Sequence, residues 1–309
     1  MKMSLFVAML LSIFCVSAQA EVQHLLFTKM AVFPIADANY ASSEDAWWQM
    51  RESLTKNQRY LVASRRFMIN RGVFQPRRTL KPADVIILGK ILDAEALMTT
   101  HLRDRSLRMQ VYRAEDGSTL WESSVELHPA IPIGDQLIKA SQKLVADFVA
   151  SMPYQGYQVI DESLGKPIFE EGGKTRAWIF HGTNSGLEVG DAVQWVEVSG
   201  EAGTAFFNQS VRTQIVAEGK VVSLKGNLAE VQIDKTRAVS DLHDRALIRF
   251  PRELAKLQNQ MTGDKGSALM SEYLSNEMKD PQELEKGHNP TSTTLAFLGN
   301  IALLILLAF

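Results

Sequence analysis

Gly172-Gly173-Lys174-Thr175 has the residue types that close a phosphate-binding loop, where backbone amides and a lysine cradle phosphate ahead of a helix. That motif needs a glycine five residues before its second one, and Ile168 stands there. The segment also leads into a strand, so nucleotide binding is not predicted. Ser53-x-x-Lys56 and Ser163-x-x-Lys166 repeat the serine–lysine spacing of penicillin-recognising enzymes, but the S-D-N and K-T-G elements that accompany it are missing. His24, His101, His128, His181, His243 and His288 are scattered, with no i, i+4 pair of the kind a zinc site uses. Asp241-Leu242-His243-Asp244 is the densest group of ligand types and reads as a solvated turn. The single cysteine, Cys15, falls in a leader segment, which removes thiol catalysis and cysteine metal sites from the mature chain. The expectation is a protein that is not an enzyme, with no cofactor, no metal and no small-molecule substrate.

One charge feature stands out. Arg59, Arg65, Arg66, Arg71, Arg77 and Arg78 fall between Lys56 and Lys81 with no acidic residue among them, in a chain of net charge -2. Two readings stand for this basic patch. It is a set of solvated or internally paired side chains, or it is a contact surface for something anionic: lipid headgroups, cell-wall polymer or an acidic partner. Arginine suits the second task because its planar fork grips carboxylates and phosphates with two bonds. The near-neutral charge of the whole chain argues against nucleic acid as a partner.

The chain of 309 residues is long enough for two cores. Residues 1–20 have a secretory signal's parts: Lys2, an apolar stretch from Leu5 to Val16, and Ala18-Gln19-Ala20 as a cleavage site after Ala20. Acylation at Cys15 fits less well, because bulky Ile13 and Phe14 precede it; uncleaved anchoring is a further alternative. Residues 293–309 form a second apolar run, whose helix would be roughly 26 Å long against a hydrocarbon core of ~30 Å. Read as a transmembrane helix it carries Asn300, whose amide would seek a partner on another helix. A buried C-terminal helix is the alternative. Together these segments predict exported, periplasmic domains held in a membrane, most simply the inner one, and a polar tether over 251–292.

Between them the fold class expected is α+β. Residues 21–153 read as a mixed-sheet α/β domain. Its strands are Lys29 to Ile35, Tyr60 to Ala63 and a central, buried Ala83 to Leu92, followed by a hairpin of Leu107 to Val111 with Thr119 to Leu127. A helix over Glu44 to Asn57 opens with a capping box at Ser42 to Asp45, and a second runs from Ile133 to Met152. Residues 154–250 read as a small β-barrel of six strands: Tyr157 to Ile160, Ala177 to Phe180, Ala192 to Val198, Ile215 to Leu224, Leu228 to Ile233 and Ala246 to Phe250. Gly186 to Asp191 reads as a tight turn, with Asp191 bonding amides locally.

MAVFPIAD at Met30 to Asp37, RYLVASR at Arg59 to Arg65, ADVIILGKI at Ala83 to Ile91 and QVYRAEDGSTLWE at Gln110 to Glu122 resemble the TolB amino-terminal domain and the similar domains of curli secretion channels and penicillin-binding-protein activator lipoproteins. PYQGYQVI at Pro153 to Ile160 and NSGLEVGDAVQWVEV at Asn184 to Val198 look like the later domains of the flagellar ring protein FlgT. The resemblance implies a periplasmic scaffold or assembly factor that contacts an envelope protein complex, as an oligomer, without catalysis. The alternative is a cell-wall or lipid binding module that uses the basic patch.

Overall fold

The computed structural model describes residues 25–255, except 57, 161–164, 183–184, 200–204, 210, 239 and 241. Five strands, β1 (Lys29–Val32), β2 (Leu61–Val62), β3 (Ala96–Arg103), β4 (Ser106–Arg113) and β5 (Thr119–Glu126), form one sheet in the order β2-β1-β3-β4-β5. β1 runs parallel to both neighbours, pairing Met30 with Val62 and with Ala96, while β3, β4 and β5 are antiparallel. The sheet is mixed. Alternation along the strands splits its side chains between two cores. Met30, Val32, Met98, Met109 and Trp121 face α1 (Ser42–Thr55) and the long α4 (Ile133–Ser151), whereas Ala31, Phe33, Leu97 and Tyr112 face α2 (Arg65–Asn70) and α3 (Pro82–Leu92).

Helix α3 corrects the sequence expectation, because Ala83 to Leu92 is not the central strand. Val85, Leu88, Gly89 and Leu92 are its buried residues, a spacing of three and four that belongs to one helical face. Pro82 opens it, Asp84 and Lys90 complement its dipole, and Asp93 caps it in the left-handed region at φ 48°. The stretch looked strand-like because Ile87 is apolar as well, although it is 56% exposed. Gly89 is required by a close approach: a Cβ there would stand 2.4 Å from that of Ala114. The central place, between β1 and β4, goes to β3, a strand absent from the sequence reading, as was α2.

The expected capping box at Ser42 to Asp45 also does not form. Ala41 precedes the helix in helical geometry, Ser42 Oγ donates to the Gly134 carbonyl at 2.7 Å, and Ser43 Oγ donates to the Ala38 carbonyl at 2.7 Å. A carbonyl brought near by tertiary packing, that of Gly134, and a local one, that of Ala38, take the hydroxyls that spacing alone assigned to the helix end.

The second sheet joins β6 (Gly156–Val159), β7 (Phe169–Glu171), β8 (Lys174–Phe180), β9 (Ala192–Ser199), β10 (Arg212–Lys225), β11 (Leu228–Thr236) and β12 (Leu247–Arg249). Its order, β11-β10-β9-β12-β6-β8-β7, closes through a β11–β8 pairing, so six strands make a barrel and β7 extends outward from β8. Ala177, Ile179, Val193, Trp195, Val231, Ile248 and Phe250 fill it. Trp195 Nε1 donates to Gln158 Oε1 at 2.7 Å, which supplies a partner for both polar groups in the buried interior. Beside the antiparallel pairing of β6 with β8, Gly156 admits no side chain, since a Cβ there would lie 2.3 Å from the Phe180 carbonyl oxygen.

A short helix, α5 (Phe206–Gln209), and β9 bring Phe206, Phe207, Val196 and Val198 into the same apolar core as α1, α4 and the first sheet. Among the described residues no helix is long and apolar enough to cross a membrane. Ala20, Asn300, the tether from 256 onward and the apolar C-terminal run lie outside the described residues; 251–255 is helical.

Candidate functional site

The six arginines fall into two sets of three. Arg59, Arg65 and Arg78 each hold a carboxylate of the same chain. Arg59 pairs with Glu253 in a setting where their side chains are only 9% and 7% exposed. Arg65 reaches Glu44 at 2.6 Å, and Arg78 grips both oxygens of Asp37, Nη2 to Oδ1 at 2.7 Å. That hydrogen bond, outweighing desolvation, holds the Asp37 carboxyl below its ordinary range. Arg66, Arg71 and Arg77 have no carboxylate partner among the described residues. Arg66 and Arg71 are exposed; Arg77 is half-buried, with its Nε enclosed and unbonded.

Aromatic rings position Arg71 and Arg77 of the second set, and Arg65 of the first. The Arg77 guanidinium lies 5.3 Å above Phe33, that of Arg71 5.3 Å above Phe67, and that of Arg65 5.3 Å above Phe74. Phe74 meets Trp47 edge to face at 5.1 Å and packs with both cores of the sheet, so it sits where the two helical layers meet. Arg51, which the sequence reading did not single out, lies over both Trp47 and Trp48, at 5.2 and 5.1 Å. Trp48, absent from that reading too, is 43% exposed on the solvent side of α1. An aromatic beside Trp47, off the apolar stripe of an amphipathic helix, was the signal that could have found it.

The surface stands over the carboxyl ends of the parallel strands. Trp47 Nε1 donates to the carbonyl of Val32, the last residue of β1, at 2.9 Å, and Arg51 Nη2 lies 3.5 Å from that of Val62, the last residue of β2. Helix α1 leaves β1 toward one face of the sheet, and α2 and α3 leave β2 toward the other. Reversals of this type open the crevice where α/β sheets bind ligands. Here arginine-capped rings stand at that end. A guanidinium laid on a ring keeps its edge N–H groups outward and loses little freedom when a carboxylate arrives, so the arrangement suits anionic recognition.

Other sequence candidates disperse. Gly172 and Gly173 form the turn between β7 and β8 at φ 60° and 74°, with Lys174 opening a strand. Ser53 and Lys56 lie at the end of α1; Ser163 and Asp241 lie outside the described residues, as do His24 and His288. His101 is half-buried with its pKa lowered by burial and by Arg108. His181 is buried, its Nδ1 2.9 Å from Ser185 Oγ in a turn where Ser185 also accepts the Leu187 amide. Asp191 accepts the Glu188 amide at 2.9 Å and bonds Arg252 besides.

A second cluster joins the two sheets. Beside the Arg59–Glu253 pair, Arg245 reaches Glu95 at 3.4 Å, and the same carboxylate accepts the amides of Thr28 at 2.5 Å and Lys29 at 3.1 Å. Burial pushes the Glu95 pKa up, but those amides and Arg245 overcome it, and the net displacement is downward. A carboxyl held below its unfolded value adds stability above that value, and the contribution is lost as pH falls through the folded one. Urea midpoints should therefore hold steady from neutral pH and decline below about pH 4.5. Glu95→Gln should flatten part of that decline; an unchanged slope would show that Glu95 does not contribute.

No protein-family model and no curated protein matches the chain. Among solved structures, the LpoB C-terminal domain from Escherichia coli is similar at 12% identity and a TM-score of 0.26, over 33% of this chain and 82% of that one. A lipoprotein from Neisseria meningitidis is similar at 14% identity and 0.25, over 39% and 97%. TolB from Acinetobacter baumannii is similar at 10% identity and 0.29, over 67% of this chain and 58% of its own.

Proposed function

We propose that this chain is a non-enzymatic scaffold or assembly factor of a bacterial envelope machine, flagellar-ring-like or secretion-like. The leader ending at Ala20 exports it, and the 293–309 helix holds it in a membrane. The 21–153 and 154–250 domains act as one rigid presenter of surfaces, and the 251–292 tether gives them reach. Tethering raises their effective concentration near membrane partners.

The observation that carries this reading is the shared core. Val196, Val198, Phe206 and Phe207 are buried together with the helices of the first sheet, and Arg59–Glu253 locks the same seam. A continuous apolar core fixes the angle between the sheets, as an assembly component that sets spacing requires. A second reading, a cell-wall or lipid binding module, rests on Arg66, Arg71 and Arg77 alone.

The test is in-cell photocrosslinking from positions 48 and 170, one on α1 beside the first sheet and one on β7 of the second, followed by gentle detergent extraction and sedimentation of the full chain. Discrete adducts and sedimentation well above the monomer are expected. A bare monomer without adducts at either position would remove the scaffold reading.

A further inference from the structure

We propose that the surface formed by Trp48, Arg66, Arg71 and Arg77 binds an acidic protein segment, which sets carboxylates against the arginines and an apolar or aromatic side chain against Trp48. This rests on the scaffold reading and names the class of partner that its first domain takes.

Charge comes first. Between Arg51 and Lys81 stand nine Lys or Arg residues and one acidic residue, Glu52, while the whole chain is at -2. The excess is local: only Arg59, Arg65 and Arg78 of these nine meet a carboxylate among the described residues, and Arg66, Arg71 and Arg77 are three of the cations left uncompensated. Rigidity comes second. Arg71 and Arg77 lie on Phe67 and Phe33, so their guanidinium planes are oriented before any partner arrives, and binding gives up little side-chain entropy. Arg77 is the sharpest case, because a cation without a carboxylate partner and with an enclosed, unbonded Nε gains from a bidentate acceptor at its outer edge.

Composition comes third. The exposed Trp48 lies under Arg51 and is joined to the start of α2 through Trp47, Phe74 and Arg65. Trp and Arg are the residue types that concentrate binding energy at protein interfaces. Ile69, on α2 between Arg66 and Arg71, is 51% exposed and extends the apolar part. A membrane surface fits less well. Glu44 and Asp37 are interleaved with the arginines through Arg65 and Arg78, and their negative charges face an anionic bilayer unfavourably. A protein segment of patterned charge can match such a mosaic, whereas a uniformly anionic sheet of headgroups cannot.

The experiment pans a random peptide library displayed on phage against the full chain in mild detergent. Enriched peptides are then measured by fluorescence anisotropy on wild type, on Arg66→Glu/Arg71→Glu, and on Trp48→Ala. The substituted side chains are exposed, and an unchanged thermal midpoint confirms that each variant is folded. Enrichment of Asp or Glu beside an aromatic residue is expected, with at least a tenfold weaker Kd in both variants and a further loss in high salt. Phosphatidylglycerol vesicles should float equal amounts of wild type and charge-reversed protein.

Absent enrichment, peptides without acidic bias, or affinities unchanged by the substitutions would overturn the proposal. Flotation lost only on charge reversal would assign the surface to lipid and overturn it too. In each of those cases a crosslinked complex from positions 48 and 170 still leaves the scaffold standing. Absence of any complex removes the scaffold itself, so the two failures are told apart.

Discussion

Arg59→Met is expected to destabilise the fold by about 3–5 kcal/mol, because it strips the guanidinium from a carboxylate that is almost fully enclosed. Glu253 is only 7% exposed at its side chain and lies on the 251–255 helical turn. Removing one member of a buried pair costs far more than the pair contributes, since the remaining charge keeps its desolvation penalty. The double variant Arg59→Met/Glu253→Leu should therefore return to within about 1–2 kcal/mol of wild type, or exceed it. Guanidinium-chloride midpoints of the four proteins close this cycle. A loss below about 1 kcal/mol for Arg59→Met would show that the pair is solvated. A double variant as unstable as the single would show that the packing of the Arg59 stem, and not charge, holds the seam.

Trp47→Ala should cost a similar amount, about 3–5 kcal/mol, and for a different reason. The indole is 1% exposed, packs in the core beneath α1, and donates to the Val32 carbonyl at the end of β1. Alanine leaves a large void in that core and an unpaired carbonyl. Trp47→Phe keeps most of the volume but not the donor, and should cost about 1–3 kcal/mol. The ring also supports the site: Arg51 lies over it and Phe74 meets its edge. Trp47→Phe should consequently remain folded while loosening Arg51 and Phe74, visible as altered side-chain chemical shifts. An alanine variant with a wild-type denaturation midpoint would mean that α1 repacks without its anchor.

The hairpin of β4 and β5, the helix α4 and all six barrel strands were legible in the sequence. In each, a local period of two or 3.6 was strong and turn residues marked the ends, as with Glu115-Asp116-Gly117-Ser118 and Lys225-Gly226-Asn227. Ala83 to Leu92 was not legible as a helix, since a short run that is apolar on every side carries no period to choose by. β3 was missed for the opposite reason: Thr99, Thr100 and His101 interrupt its apolar character, yet both threonines are buried because the sheet is covered on both faces.

The basic segment is the clearest division. Its type, number and spacing are properties of the sequence, as are the two apolar runs near the chain ends from which an exported, membrane-held address is expected. Which arginines keep a free edge is not, because ion pairing here links residues far apart in the chain, Arg59 to Glu253 and Arg78 to Asp37. Covalent order fixes how many charges enter a region. Only the packing of distant elements decides which of them meet a carboxylate, which are laid on aromatic rings, and which remain to meet a partner.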